Sequence, residues 1–242
     1  MAAKANVNRN DWLHPLTLAA TLRDTKVVNV LIEAASSLEK LSSRKSPVSV
    51  AVQAGHVRVL QALIVAQGAV DDATANGKVP LHVASKAGDA ALLAVIIAAG
   101  ADMDARSKSG SYPLMLAVDN GHQRAFRELV HAKADLHAKG TGGALLTASC
   151  AHGLFMGTRM LFRAGLRAGV AAWILASWSN HSQMLHELFM GSDAFDEVDT
   201  KSGRTPIFLA AENGSVEAMV TLLTARASVN RVSIQGNTPL FR

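Results

Sequence analysis

One phrase recurs along this chain of 242 residues at nearly constant spacing: a proline, an apolar residue after it, and an alanine four positions beyond the proline. It reads HPLTLAA (His14–Ala20), SPVSVAV (Ser46–Val52), VPLHVAS (Val79–Ser85), YPLMLAV (Tyr112–Val118) and TPIFLAA (Thr205–Ala211), with a cut-short copy, TPLFR, at Thr238–Arg242. The prolines stand at 15, 47, 80, 113, 206 and 239, so the first four are spaced 32, 33 and 33 apart and the last two 33. Two more units fill the gap without proline, ALLTAS (Ala144–Ser149) and AWILAS (Ala172–Ser177), at spacings of 31, 28 and 34. Seven units and the start of an eighth result. A fixed period constrains the architecture before any other feature, because a unit this short buries its apolar face only against its neighbours.

Each unit reads as two short helices. In the third, Pro80 suits the first turn of a helix, where its missing N–H is no loss. Leu81, Ala84 and Ser85 follow at helical spacing, and Ala87-Gly88 ends the helix. A second helix is predicted over 91–98, with Leu92, Val95 and Ile96 on its buried side, and Gly100 closes it. An extended loop then leads to the next proline. Of the residues before the prolines, Ser46, Thr205 and Thr238 are competent N-caps, whereas His14, Val79 and Tyr112 are not.

These phrases resemble the ankyrin repeat, whose pattern runs T-P-L-H-x-A-A, G-H, V-V-x-L-L-L and G-A-D-V-N. The closest stretches are GHVRVLQALI (Gly55–Ile64), AAGADMDARSKSG (Ala98–Gly110) and KSGRTPIFLAAENGSVEAMVTLL (Lys201–Leu223). The resemblance implies an all-α solenoid of helix-turn-helix units with short β-hairpin-like finger loops, over residues 8–242, after an N-terminal tail at 1–7. It also implies structural roles for the histidines: His56, His122 and His181 capping local backbone groups, and His82 bonding across its turn. The pattern departs most over 139–172. RAGLRAGVAA (Arg163–Ala172) is too short for a normal loop, so its finger is expected to be stunted or missing. TPLFR stops inside a first helix with no polar cap, and the expectation is a fragment of a longer protein or a truncated gene product.

Composition agrees. The chain is 49% hydrophobic but only 5% aromatic, which suits tightly packed helices. The single cysteine, Cys150, excludes an internal disulfide framework and zinc sites needing two thiolates. The longest apolar run, GVAAWILASW (Gly169–Trp178), is half of what a membrane span needs, and the polar N-terminus lacks a secretory apolar region. A cytoplasmic or nuclear location is the expectation. The net charge of +5 permits an acidic partner and is too small to argue for nucleic acid by itself.

No stretch carries recognisable catalysis. KGTGGALL (Lys139–Leu146) is Gly-rich ahead of a helix but lacks the GxxxxGK pattern followed by Ser or Thr of a phosphate-binding loop. His181 and His186 lie five apart, whereas zinc-binding helices place ligands four apart. His152 is two residues from Cys150, on another side of a helix, and gives no activating base. No cofactor, metal or small-molecule substrate is expected, and the chain is not expected to be an enzyme.

The family binds proteins through its concave face and fingers, and the resemblance carries that expectation here. The corresponding positions, with the cations beside them, give the candidates Arg44, Lys45, Lys78, Lys86, Arg106, Lys108, Asp119, Asn120, Trp178, Lys201, Arg204, Glu212 and Asn213. With Lys139, nine of the finger residues are cations with few opposing acids, which would suit an acidic or phosphorylated segment. The same cations also fit a merely solvated edge. Trp178 is either an exposed anchor or core packed on His181 or Met184. The functional expectation is a protein-binding scaffold. The alternative is a non-catalytic regulatory segment of an enzyme whose catalytic domain lies outside this chain. Nucleic-acid binding along the basic edge is the weakest reading.

Overall fold

The computed structural model describes residues 15–34, 46–138, 142–191 and 194–240. Among them every regular element is helical, and the all-α expectation is met. The chain divides into two compact units, residues 1–135 and 136–242.

The first unit contains four helix pairs: α1 (Pro15–Thr21) with α2 (Thr25–Glu33), α3 (Pro47–Gln53) with α4 (Val57–Val65), α5 (Pro80–Ala87) with α6 (Ala90–Ala98), and α7 (Pro113–Asp119) with α8 (Gln123–His131). Each first helix packs on its own second helix and on the first helix of the next pair, and the second helices pack in the same sequence. The second unit repeats the scheme with α9 (Gly142–Ala151) and α10 (Phe155–Arg163), α11 (Val170–Trp178) and α12 (Ser182–Gly191), and α13 (Pro206–Glu212) and α14 (Val216–Thr224). A 3-10 turn, Ala194–Asp196, packs on α11 and α13.

The recurring alanine sits where first helices meet. Ala51, Ala84 and Ala117 are fully buried in α3, α5 and α7, and the small side chain lets neighbouring backbones approach. Pro47, Pro80, Pro113 and Pro206 each open a first helix, as expected. Ser46 Oγ accepts the Ser49 N–H at 3.2 Å and Thr205 Oγ1 the Phe208 N–H at 3.3 Å, so both cap as read from the sequence. Val79 cannot cap, but its own N–H donates to His82 Nδ1 at 3.3 Å. His14 lies outside the described residues.

The second helices bury one stripe, Leu92, Leu93 and Ile96 in α6. Leu93 replaces the expected Val95, which is only half-buried. Residues 92, 93 and 96 form the i, i+1, i+4 stripe facing both the partner helix and the next second helix. Burying each such Leu or Ile contributes about 1.5–3 kcal/mol. Asp89 and Asp24 cap α6 and α2 by accepting two backbone N–H groups each, a role the sequence reading did not assign.

The fingers are short hairpin-like turns, and no strand occurs among the described residues. Those at 74–78, 107–111, 199–204 and 233–237 are closed by paired backbone bonds. Thr74 N–H reaches Lys78 O at 2.9 Å and Gly77 N–H reaches Thr74 O at 2.8 Å, and the same pair recurs at Ser107, Gly110 and Ser111. Adjacent tips are joined directly: Lys108 N–H donates to Asn76 O at 3.0 Å, and Ile234 N–H to Ser202 O at 3.2 Å. At Gly77 (φ +69°) a Cβ would lie 3.0 Å from Lys108 N, so glycine is what lets the next finger close in. The connection over 164–169, between α10 and α11, has six residues and no such turn.

Candidate protein-binding surface

In the first unit, two fingertips and the end of α5 carry four of the candidate cations. Lys86, Arg106 and Lys108 are exposed and Lys78 is half-buried. Among the described residues none has a carboxylate within ion-pair distance. Arg106 folds back on its own finger, with its guanidinium 5.7 Å from the Tyr112 ring centre and Nε 3.5 Å from Gly110 O. The bond from Lys108 N–H to Asn76 O sets the tips bearing Lys78 and Lys108 side by side. Asp119 and Asn120 are exposed at the end of α7, where Asn120 Nδ2 donates to Leu116 O at 2.8 Å. Arg44 and Lys45 lie outside the described residues, as does Lys139.

In the second unit the candidates form a different surface. Trp178, at the end of α11, is 54% exposed, so it is not core. The buried aromatic of that helix is Trp173, edge-on to Phe195 with ring centres 5.9 Å apart. Asn213 is exposed and its Nδ2 donates to the Trp178 carbonyl at 3.4 Å, tying the ends of α11 and α13 together. Arg204 does not stand free. Its Nη1 lies 2.7 Å from Glu212 Oε2, and its guanidinium is 5.2 Å from the Phe208 ring centre. The expectation of a basic edge with few opposing acids therefore fails at Arg204, whose charge Glu212 meets. Lys201 is exposed, and the residue matching Lys108 in the next finger is Ile234. Asp199 accepts from Ser202 N–H at 2.9 Å and Ser202 Oγ at 2.7 Å, which holds its carboxyl below the usual range.

Residues that suggested chemistry have structural roles. His56 Nδ1 lies 3.0 Å from Ala20 O, and His122 Nε2 lies 3.0 Å from Lys86 O. Neither caps its own helix by a side-chain bond. The rings span 36 residues and tie one pair to the preceding pair, which corrects the expectation of local capping. Cys150 is buried on α9 and its thiol is pushed up to about 12 by that burial, which leaves no thiolate for nucleophilic work. No group of three or more His, Cys, Asp or Glu poised to hold a metal exists among the described residues. No helix among them is long and apolar enough to cross a membrane.

Two features escaped sequence reading. A series of aspartates links consecutive loops: Asp71 Oδ1 accepts Asp102 N–H at 3.1 Å, Asp104 Oδ1 accepts Asp135 N–H at 2.8 Å, and Asp196 Oδ1 accepts Ser228 N–H at 2.8 Å. The 33-residue interval from Asp71 to Asp104 was the available signal. The second is a pair between second helices. Arg159 Nε lies 3.1 Å from both carboxylate oxygens of Glu187, and Arg159 Nη2 also bonds Oε1. Their separation of 28 residues equals the interval between Ala144 and Ala172. The shortened repeat thus hid two residues of equivalent register.

The family model described as ankyrin repeats (3 copies) matches residues 48–140, 81–165 and 173–242. Among solved structures, the ankyrin repeat domain of Bcl-3, described as a unique member of the IkappaB protein family, is similar in fold, with a TM-score of 0.59. The match covers 96% of this chain and 94% of that one at 19% identity. No curated protein matches the sequence. With its helix pairs, finger turns and three matched segments, the chain belongs to the ankyrin repeat family, whose repeats are protein-interaction modules.

Proposed function

We propose that this chain is a protein-interaction scaffold, placed in the cytoplasm or nucleus, that holds an acidic or phosphorylated segment of a partner against its fingers and first helices. The observation that carries this reading is the group of Lys78, Lys86, Arg106 and Lys108, exposed or half-exposed and, among the described residues, without ion-pair partners. Such charges steer association and form charge-assisted bonds. The backbone at Lys78 and Lys108 is held by fingertip bonds, so little entropy is lost there when a partner docks. Trp178 supplies an aromatic anchor of the kind that concentrates binding energy, beside Asn213.

The test is capture from cell lysate with the chain as bait, followed by mass spectrometry. Wild type is compared with a Lys78→Glu, Lys86→Glu and Lys108→Glu variant. Arg204 is left alone, because reversing it would replace its ion pair with Glu212 by repulsion between two carboxylates. A specific protein retained by wild type and lost by the variant is expected. Equal retention by both would return the cations to a solubility role.

A further inference from the structure

The missing finger leaves a notch. Where α10 passes to α11 through only six residues, a recess of about 330 Å³ opens between that connection, the end of α10 and the end of α12. Three arginines line it: Arg159, Arg163 and Arg167. Glu187 is engaged by Arg159 through bonds to both its oxygens, which hold its carboxyl below the usual carboxylate range. That pair is neutral and fixed. Arg163 and Arg167 are exposed, and among the described residues neither has an ion-pair partner. The notch therefore presents two exposed guanidiniums that form no ion pair among the described residues, although the Arg163 charge also helps to hold the Glu187 carboxyl down. Its wall is apolar: Phe162 is half-buried, and Met190 on α12 is 75% exposed. Gly191 completes that wall, since a Cβ there would lie 2.9 Å from the Phe162 ring.

We infer that this notch binds a phosphorylated side chain of a peptide partner, with an apolar residue of the same peptide against Phe162 and Met190. The assignment rests on charge and shape. Two exposed guanidiniums without ion-pair partners among the described residues match the charge of about −1.5 to −2 on a phosphoryl group better than a single carboxylate. Arginine is the side chain whose planar fork meets phosphate oxygens in pairs. The exposed methionine is adaptable apolar surface, suited to a variable neighbouring residue. The site lies on second helices, away from the fingers, and stands whether or not the finger cations bind anything.

The experiment uses the full chain against an array of peptides with a central phosphothreonine and varied flanks. Matched arrays carry threonine or glutamate at the centre, and vesicles containing phosphatidylinositol phosphates provide a lipid arm. The comparison protein is Arg163→Gln/Arg167→Gln. Both positions are exposed, and circular dichroism checks that the helices are retained. The result expected is binding to phosphothreonine peptides with an apolar flank, about tenfold or more tighter than to the threonine or glutamate forms, and lost in the variant. Equal binding of the glutamate peptides, undiminished binding by the variant, binding to vesicles alone, or no binding to any peptide would each overturn the assignment.

Discussion

His82 Nε2 lies 3.0 Å from the carbonyl oxygen of Ser111, joining the first helix of one repeat to the finger of the next. On the other side of the ring Nδ1 accepts the Val79 N–H. An acceptor at Nδ1 and a donor at Nε2 require the neutral imidazole. The ring is fully buried, and burial, aided by the charge of Lys78, holds its pKa below the ordinary 6.5 despite the opposing influence of the Ser111 bond and Asp102.

Stability of the first unit should therefore depend on pH through His82. Above pH about 6.5 the ring is neutral folded and unfolded, and the full contribution is present. As pH falls below that value the unfolded chain takes up a proton that the folded chain resists, and stability is lost until the depressed folded pKa is reached. The slope from this group is at most about 1.4 kcal/mol per pH unit. Urea unfolding from pH 8 to pH 5 should show a steeper decline for wild type than for His82→Gln, which is less stable at pH 8. Equal slopes would show that the ring is not held neutral.

Gly88 and Gly55 provide a paired test of how the repeats interlock. Both have left-handed φ, +70° and +74°. At Gly88 a Cβ would lie 2.5 Å from the His122 ring, whereas at Gly55 nothing lies within 4 Å. Gly55→Ala should cost about 1–2 kcal/mol from the backbone alone. Gly88→Ala should cost more, because the ring that bonds Lys86 O must move. Chemical denaturation of the two variants measures the difference. Equal losses would mean that the histidine contact contributes nothing.

How much of this was legible follows from the period. The prolines, the small residues four positions on and the glycine stops recur, so the helix pairs could be placed from sequence. The bonds between pairs could not. His56 and His122 were expected to serve their own helices, because sequence spacing does not show that the ring of one unit reaches the carbonyl of the unit before it. Trp178 and Trp173 differ by five residues on one helix, and only packing shows which is buried. Arg204 read as a free cation, since Glu212 lies eight residues away across a turn and helix. The notch arose where the repeat was shortest and its pattern weakest.

Leu81 on α5 is completely buried among first helices. Leu81→Asp places a carboxylate in a site closed to water, and the loss should reach about 4 kcal/mol or more. Thermal unfolding followed by circular dichroism should show the first unit melting well below wild type. An unchanged melting curve would mean that the first helices are not packed as described.

The proposed function places protein-binding surface on the fingers and first helices of each unit. Site-specific photocrosslinking tests it most directly. A photoreactive amino acid is placed at Lys86, at Lys108 or at Trp178, and in control proteins at the exposed Gln61 or Glu217 on second helices. After irradiation in cell lysate, a partner should be crosslinked from at least one of the first three positions and from neither control. Crosslinking from the controls with none from Lys86, Lys108 and Trp178 would contradict it.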